Sequence, residues 1–417
     1  MSPLLAFFLS KLVRRGRLEI VGADGARREF GAAAEPRVVV RLADRAAERE
    51  LLMNPELALG ELYMEGRLDL VEGDVYDLLS LAAENTVVCG GSLWLRLIEK
   101  ARVALDRLQR RNDRKRSKSN VARHYDHDPR LYRLFLDADL QYSCAYFENE
   151  SQTLEEAQLA KKRHLAAKLL LGDGLRVLDI GSGFGGMALY LAQVAGARAI
   201  GVTLSQEQFE IAARRAADSG LGERVQLRLQ DYRDVPERFD RIVSVGMFEH
   251  VGAAAYDEFF AVVRRLLKDD GVMVLHSIGR SEGPGSTNPW IKKYIFPGGY
   301  IPSVSETTAA IERSGLYVTD MEILRLHYAD TLKEWRRRFL AHRDEVKAIY
   351  DERFCRMWEF YLAGSEVAFR VYGHMVFQIQ LAKRQDVVPR TRDYIGEAEA
   401  RLRKREGAQS RLLRAAS

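Results

Sequence analysis

Cysteine is scarce: 417 residues carry only three, Cys89, Cys144 and Cys355. Their wide spacing excludes a CxxC zinc or redox motif, and their odd number argues against a disulfide framework, so a reducing compartment is expected. Long hydrophobic runs are missing as well. No stretch approaches the ~18 consecutive apolar residues of a spanning helix. The apolar start, Leu4 to Leu9, is followed by Lys11, Arg14 and Arg15, the reverse of a signal peptide's order. Neither a membrane span nor a secretory leader is read here, and cytoplasmic residence is expected. A strong charge of one sign is also lacking, because 64 Lys+Arg stand against 59 Asp+Glu for a formal +5. So small an excess matters only where it clusters. It does so at Arg107, Arg110, Arg111, Arg114, Lys115, Arg116 and Lys118, with one acid, Asp113, among them. That run reads either as a solvated linker or as an attraction for anionic lipid head groups or nucleic acid.

What is present is a globular composition, 47% apolar and 29% charged, whose length suggests two or three domains at about 150 residues each. The first hundred residues read as a small α+β unit. It opens with a basic amphipathic helix, followed by a strand at 18–21, an Asp24-Gly25 turn and a returning strand. Another strand is expected at 38–42, and apolar residues at helical spacing occupy 55–63 and 75–83. No catalytic constellation is visible there. The basic run sets a boundary near residue 118, giving units at 1–118 and 119–417.

From residue 175 short apolar strands (176–180, 198–202, 225–229, 240–245, 272–278) alternate with amphipathic helices (186–194, 206–219, 256–267). Such alternation predicts an α/β fold with a doubly wound, parallel sheet. Two interruptions, a Gly/Pro-rich loop at 283–302 and a helical insertion at 328–371, precede a last strand at 375–381. Long insertions at the carboxyl edge of such a sheet usually cover the ligand. The Arg-rich end, 400–417, reads as a partly solvated helix.

After the first strand of that sheet comes Asp179-Ile-Gly181-Ser-Gly183-Phe-Gly185-Gly186. Glycines at a strand-to-helix turn let backbone approach a ligand closely, although a purely structural turn has the same look. A nicotinamide site would want an acid about 20 positions on, where this sequence has Gly201-Val202-Thr203-Leu204. Ser205-Gln206-Glu207-Gln208 and Leu229-Gln230-Asp231-Tyr232 follow instead, and these offer polar groups for an adenine edge.

The series Val177-Leu-Asp-Ile-Gly-Ser-Gly-Phe-Gly-Gly, Gly201-Val-Thr-Leu-Ser, Gln230-Asp-Tyr-Arg-Asp and Met247-Phe-Glu-His-Val-Gly resembles the cyclopropane-fatty-acid-phospholipid synthases, including the mycolic acid cyclopropane synthases. The resemblance spans nearly the whole chain, since the amino-terminal unit is similar to the lipid-binding domain of bacterial members that act on phospholipids. It implies a class I S-adenosylmethionine (SAM)-dependent methyltransferase, Rossmann-like, behind a smaller lipid-binding domain. In that likeness Tyr142 and Ser143 belong to the SAM-binding set, and Gly181 and Gly183 approach the methionine part of SAM. Thr203, Leu204 and Gln208 surround its ribose and adenosine, and Asp231 with Tyr232 lies beside adenine. The missing strand-end acid is normal for this family.

Tyr142-Ser-Cys144-Ala-Tyr-Phe147 lies before the sheet, Glu249 follows the fourth strand, His276 and Ile278 end the fifth, and Tyr328 starts the helical insertion. The ends of strands four and five flank the crevice of a doubly wound sheet, so these positions can converge. Each also has a plainer reading: Cys144 as core packing, Glu249 as a turn cap, His276 as a satisfied buried histidine. The resemblance implies that Cys144, Glu249, His276, the Ile278 backbone and Tyr328 hold a bicarbonate ion. That ion is the general base that deprotonates a carbocation after methyl transfer to a cis alkene. The expected substrate is the unsaturated acyl chain of a phospholipid, met by peripheral contact of residues 1–118 with an anionic membrane. Aromatic residues at 290–300 and 335–361 read as acyl-tunnel lining or as core. A fatty-acid C-methyltransferase giving methyl-branched or methylene products is the close alternative. Nucleic-acid methylation is set aside because the Asn/Asp-Pro-Pro-Tyr/Phe signature is missing. No metal is expected, and the sequence leaves a homodimer open.

Overall fold

The computed structural model describes residues 1–32, 36–88 and 128–416. Cys89, the basic run from Arg107 to Lys118 and the boundary near residue 118 lie outside the described residues.

The amino-terminal unit is a four-stranded sheet under helices. Strands β1 (Arg17–Val21), β2 (Arg27–Phe30), β3 (Arg37–Leu42) and β4 (Leu68–Glu72) lie in the order β2-β1-β3-β4. The β1–β2 hairpin closes through Gly25, whose φ of +74° suits a residue without a Cβ. Alternation puts Leu18, Ile20, Val38 and Val40 into the core, while Glu19 on the opposite face pairs with Arg27 and Arg37. Around it stand helices α1 (Pro3–Leu12), α2 (Arg45–Met53), α3 (Pro55–Met64) and α4 (Val75–Val88). Asp44 caps α2 by accepting from the Ala47 N–H, and Pro55 opens α3, where its missing N–H costs nothing.

The second unit starts with α5 (Pro129–Phe135) and α6 (Leu154–Lys168), the latter opened by a Thr153–Glu156 capping box. The alternating core follows as β5 (Arg176–Ile180), α7 (Gly186–Gln193), β6 (Arg198–Thr203), α8 (Gln206–Asp218), β7 (Val225–Leu229), β8 (Phe239–Val245), α9 (Tyr256–Leu266) and β9 (Leu267–Arg280). The rest is α10 (Pro289–Tyr294), α11 (Val304–Ser314), β10 (Tyr317–Leu324), α12 (His327–Ala341), α13 (Arg343–Ile349), α14 (Glu352–Val371), β11 (His374–Ala382) and α15 (Asp393–Ala416).

Seven strands lie in the order β10-β11-β9-β8-β5-β6-β7. The five from β9 to β7 are parallel, and β11 and β10 are added antiparallel. Because β6 lies on one side of β5 and β8 on the other, the chain reverses direction across the sheet at β5, where the strand ends open a crevice. This is the doubly wound α/β arrangement that the alternation predicted. Among the elements not expected are β10, the helices α5 and α6 before the sheet, α10 within the Gly/Pro-rich loop and α11 after it.

The two units share a core. Helix α14 packs on α3, α4 and α12, and the aromatic side chains of the helical insertion serve mainly that core, with Trp335, Phe339 and Trp358 fully buried. Trp290 sits in a notch left by Gly60 of α3, where a Cβ would come within 2.4 Å of the indole, and its N–H donates to Met64 Sδ at 3.2 Å.

Candidate active site

At the carboxyl ends of β5 to β8 a cavity with about 1200 Å³ of free space, mouth included, opens over the glycine turn. Gly181, Gly183 and Gly185 all have positive φ (+81°, +53°, +82°). At Gly181 a Cβ would meet Met247 at 2.7 Å, so that position is closed by packing. At Gly183 a Cβ would meet no protein atom within 4 Å. Its open side faces the cavity, which is the geometry of backbone left bare for a ligand.

Tyr142, Ser143, Gly181, Gly183, Thr203, Leu204, Gln208, Asp231 and Tyr232 all line this one cavity. Local structure fixes them. Ser205 caps α8 by accepting from the Gln208 N–H, and the Thr203 hydroxyl donates to Gln208 Oε1 at 3.2 Å. Arg233 holds both oxygens of Asp231, and Tyr142 shares a hydrogen bond of 2.9 Å with the Tyr361 hydroxyl.

Beneath the turn lies a buried polar floor that sequence reading missed. Lys161 of α6 is fully buried, and its ammonium donates to Gln141 Oε1 at 2.6 Å and to the Ser143 hydroxyl at 2.8 Å. Burial pulls its pKa down to about 8, despite opposing carboxylates at Asp137 and Asp139. Burial pushes the Asp179 carboxyl up to about 7, against the nearby Lys161 charge, and its Oδ2 finds no protein partner. Sequence reading makes nothing of the Lys161-Lys162-Arg163-His164 cluster on α6, whose charged composition is that of a solvated face.

The second group gathers beside this cavity, around a turn whose neighbours Met247 and His250 line it. Glu249 Oε1 accepts from the Ile278 N–H at 2.6 Å, while its buried Oε2 has no protein partner. Burial raises this carboxyl to about 7, only partly offset by the Ile278 bond, its own backbone N–H and the Ser277 hydroxyl. Of the Ile278 backbone, the N–H is thus committed to Glu249 and the carbonyl accepts from the Ser277 hydroxyl at 3.0 Å. His276 lies two residues earlier on β9, buried and held well below the ordinary histidine pKa by desolvation. Its Nδ1 meets Gln378.

Cys144 is buried, and its thiol donates to the Ala145 carbonyl at 3.2 Å, a contact with its own backbone neighbour. Burial raises its pKa. The Ala145 N–H donates to Thr331 Oγ1, tying this segment to α12, which carries Tyr328. Cys144, Tyr328 and Ile278 belong to one apolar cluster, and the Lys161 charge acts on Cys144, His276 and Asp179 alike. The five residues come from four separate segments, and the direct contact shown among them is that between Glu249 and Ile278.

The pattern of the mycolic acid cyclopropane synthetase family matches residues 112–379, and that of a domain of unknown function matches residues 8–88. The cyclopropane-fatty-acyl-phospholipid synthase of Escherichia coli K12 is 40% identical over 340 residues, 80% of this chain and 85% of the relative. A probable fatty acid methyltransferase of Pseudomonas putida is 36% identical over 82% of this chain and 86% of its own length. Among solved structures, mycolic acid cyclopropane synthase CmaA1 complexed with SAH and CTAB is 34% identical with a TM-score of 0.60, covering 63% of this chain and 97% of that one. The bare glycine cradle, the orphaned carboxylate beneath it and the reversal of strand order at β5 therefore sit in a SAM-dependent methyltransferase fold, and the chain belongs to the mycolic acid cyclopropane synthetase family.

Proposed function

We propose that this chain converts cis double bonds in phospholipid acyl chains to cyclopropanes, with SAM as the methylene source and bicarbonate as the base. The residues present fit both groups. Gly183 is bare toward the cavity and Asp179 Oδ2 is a buried acceptor without a partner, matching the main chain and the cationic amino group of SAM. When bound, SAM supplies an electrophilic sulfonium methyl. Thr203, Leu204 and Gln208 would hold the ribose and adenosine, Asp231 and Tyr232 the adenine, and Tyr142 and Ser143 the methionine end.

The observation that carries the proposal is Glu249 Oε2, a buried carboxylate oxygen left over beside the cavity after Oε1 has taken the Ile278 N–H. An acceptor in that place suits the O–H of a bicarbonate ion, with His276 and Tyr328 as donors, joined by Cys144 when its thiol turns from the Ala145 carbonyl. A small bound base is the chemistry required, because attack of the alkene on the methyl leaves a carbocation that must lose a proton for the ring to close. The Tyr328 ring, edge-on to Trp335 at 5.8 Å, and its aromatic neighbours can stabilise that cation through their faces. Ile278 acts through Glu249, fixing which carboxylate oxygen stays free.

Residues 1–118 would deliver the site to the inner face of an anionic membrane. Helix α1 turns Leu4, Phe7 and Phe8 outward, at 65%, 63% and 44% exposure, with Lys11 beside Phe7. Exposed apolar groups next to a cation suit the boundary between head groups and acyl chains. Among the described residues no helix is long and apolar enough to cross a membrane.

The test is mass spectrometry of unsaturated phospholipid vesicles after incubation with the purified protein and SAM. Acyl chains should gain one CH2, and chromatography separates ring from methyl-branched or methylene products. No gain in mass refutes the proposal, and a branched product assigns the chain to fatty-acid C-methylation instead.

A further inference from the structure

His276 is buried on β9, and its Nδ1 meets the side-chain Nε2 of Gln378 at 3.2 Å. Gln378 lies directly opposite it on β11 in the antiparallel register. The other end of that amide, Oε1, accepts from Lys168 Nζ at 2.9 Å. Lys168, also fully buried, is paired with Glu322 of β10 and lies 3.6 Å from Asp320. Glu322 in turn meets His164 Nε2 at 2.7 Å, and His164 Nδ1 meets Glu399 of α15 at 2.6 Å. A continuous polar file therefore runs from α15, through β10, α6 and β11, to the imidazole of His276.

The chemistry of that file fixes a proton. An ammonium has donors and no acceptor, so the Gln378 atom facing Lys168 must be the oxygen. The amide NH2 is then turned toward His276, and an NH2 can only donate. Nδ1 must therefore carry the lone pair, and the single proton of the neutral ring sits on Nε2. In the opposite tautomer two N–H groups would face each other in a buried place, with a cost comparable to any lost buried hydrogen bond.

We propose that Lys168 and Gln378 are positioning residues that lock His276 in its Nε2–H tautomer, so that the ring offers a donor to the anion held at Glu249. The inference rests on the bicarbonate reading above. A ring of the other tautomer would turn a lone pair toward an anion that already faces a carboxylate. Donors must outweigh that repulsion, and the tautomer decides on which side His276 counts.

Two measurements on the full-length enzyme test this. With histidine ring nitrogens labelled, long-range nitrogen–proton correlation spectra, assigned through His276→Gln, read which nitrogen of His276 bears the proton. An Nε2–H pattern is expected, and an Nδ1–H pattern overturns the proposal. This reading needs no change at Lys168 or Gln378, so misfolding of a variant there does not remove it. In Gln378→Met, which loses the donor at similar volume, the ring is free to take either tautomer, and the bicarbonate concentration giving half-maximal rate should rise by the inverse of the Nε2–H fraction that the same spectra read. The SAM dissociation constant should not move. Lys168→Met frees the amide to turn over and should populate both tautomers. A folded Gln378→Met enzyme with an unchanged bicarbonate response overturns the proposal. Carbonate-depleted wild-type enzyme that ignores added bicarbonate refutes the base assignment and with it the purpose given to the tautomer, while the ring spectrum still decides the tautomer itself.

Discussion

Replacing Glu249 with glutamine separates the charge of this carboxyl from its shape. In the native site Oε1 accepts the Ile278 N–H at 2.6 Å and the buried Oε2 has no protein partner. A glutamine oxygen can keep the first contact, so the turn should hold. What changes is the other position, where an acceptor becomes an NH2. Burial raises the folded-state pKa from an ordinary 4.5 to about 7, so the folded protein binds this proton more tightly than the unfolded chain. Stability contributed by the protonated acid is thus fully present below about 4.5 and is lost as pH rises to about 7. The loss amounts to about 3 kcal/mol. Glutamine, neutral at every pH, escapes it, and the stronger bond of the charged carboxylate to Ile278 is already contained in that value of about 7. Glu249→Gln should therefore be more stable than wild type by about 3 kcal/mol at pH 8.5, raising Tm by several degrees, and no more stable at pH 4.5. Turnover should collapse while SAM binding persists, because the acceptor for the base has gone. Thermal unfolding at both pH values, paired with lipid product analysis, checks both halves. A variant less stable than wild type at pH 8.5, or one forming rings at the normal rate, refutes the reasoning.

Gly183→Val should lower SAM affinity at least tenfold in calorimetric titration with the fold intact, because its Cβ would project into the open cavity from a backbone at φ +53°; unchanged affinity removes the cofactor from this turn. Asp179, pushed up to about 7 by burial, is neutral below that pH and charged above it. SAM affinity should accordingly weaken as pH falls from 8 to 6, and Asp179→Asn should flatten the dependence; a flat wild-type profile counts against the assignment. Replacing Leu4 and Phe7 with serine should weaken sedimentation with anionic vesicles, each inserted side chain contributing about 2 kcal/mol, while SAM binding stays put. Neutralising the seven basic residues from Arg107 to Lys118 should weaken the same association most at low salt, since screening acts within about 8 Å at physiological ionic strength; vesicle binding indifferent to both changes refutes the membrane role.

Much of the catalytic unit was legible because its signals are local. Short strands rich in Val, Leu and Ile at 176–180 and 240–245 with amphipathic helices between them reveal a parallel sheet at short range. All nine residues expected around SAM line one cavity; seven lie at or just beyond the ends of β5, β6 and β7, while Tyr142 and Ser143 come from the segment between α5 and α6. What stayed hidden is held by partners distant in sequence. Helix α6 reads LEEAQLAKKRHLAAK, a solvated face by composition, yet Lys161, Lys168 and His164 are buried against Gln141, Gln378, Glu322 and Glu399. Strand β10 carries polar residues at an edge and gives little hydrophobic periodicity. The carboxyl-terminal helix was expected to be partly solvated and without a task. In the structure it begins at Asp393, and Glu406 binds Arg163 and the Tyr190 hydroxyl, a pairing that no local pattern announces.

The notch at Gly60 bears on how far the chain can be taken apart. The segment after β9 is keyed to the amino-terminal unit by Trp290, with Tyr294 bonded to Glu61 at 2.7 Å, and a few residues later the Tyr300 N–H donates to the carbonyl of Glu249. One short length of backbone is thus clamped to the smaller unit at one end and to the reactive turn at the other. Cutting away residues 1–118 would strip the cover from Trp290 and from Phe360, whose ring lies 4.7 Å away, and loosen the clamp that steadies Glu249. An anchor that can be unbolted from its enzyme is therefore the wrong picture. A loss of turnover after such a deletion has two sources, undelivered lipid and an unbraced acid, and activity on a detergent-dispersed substrate, which needs no delivery, tells one from the other.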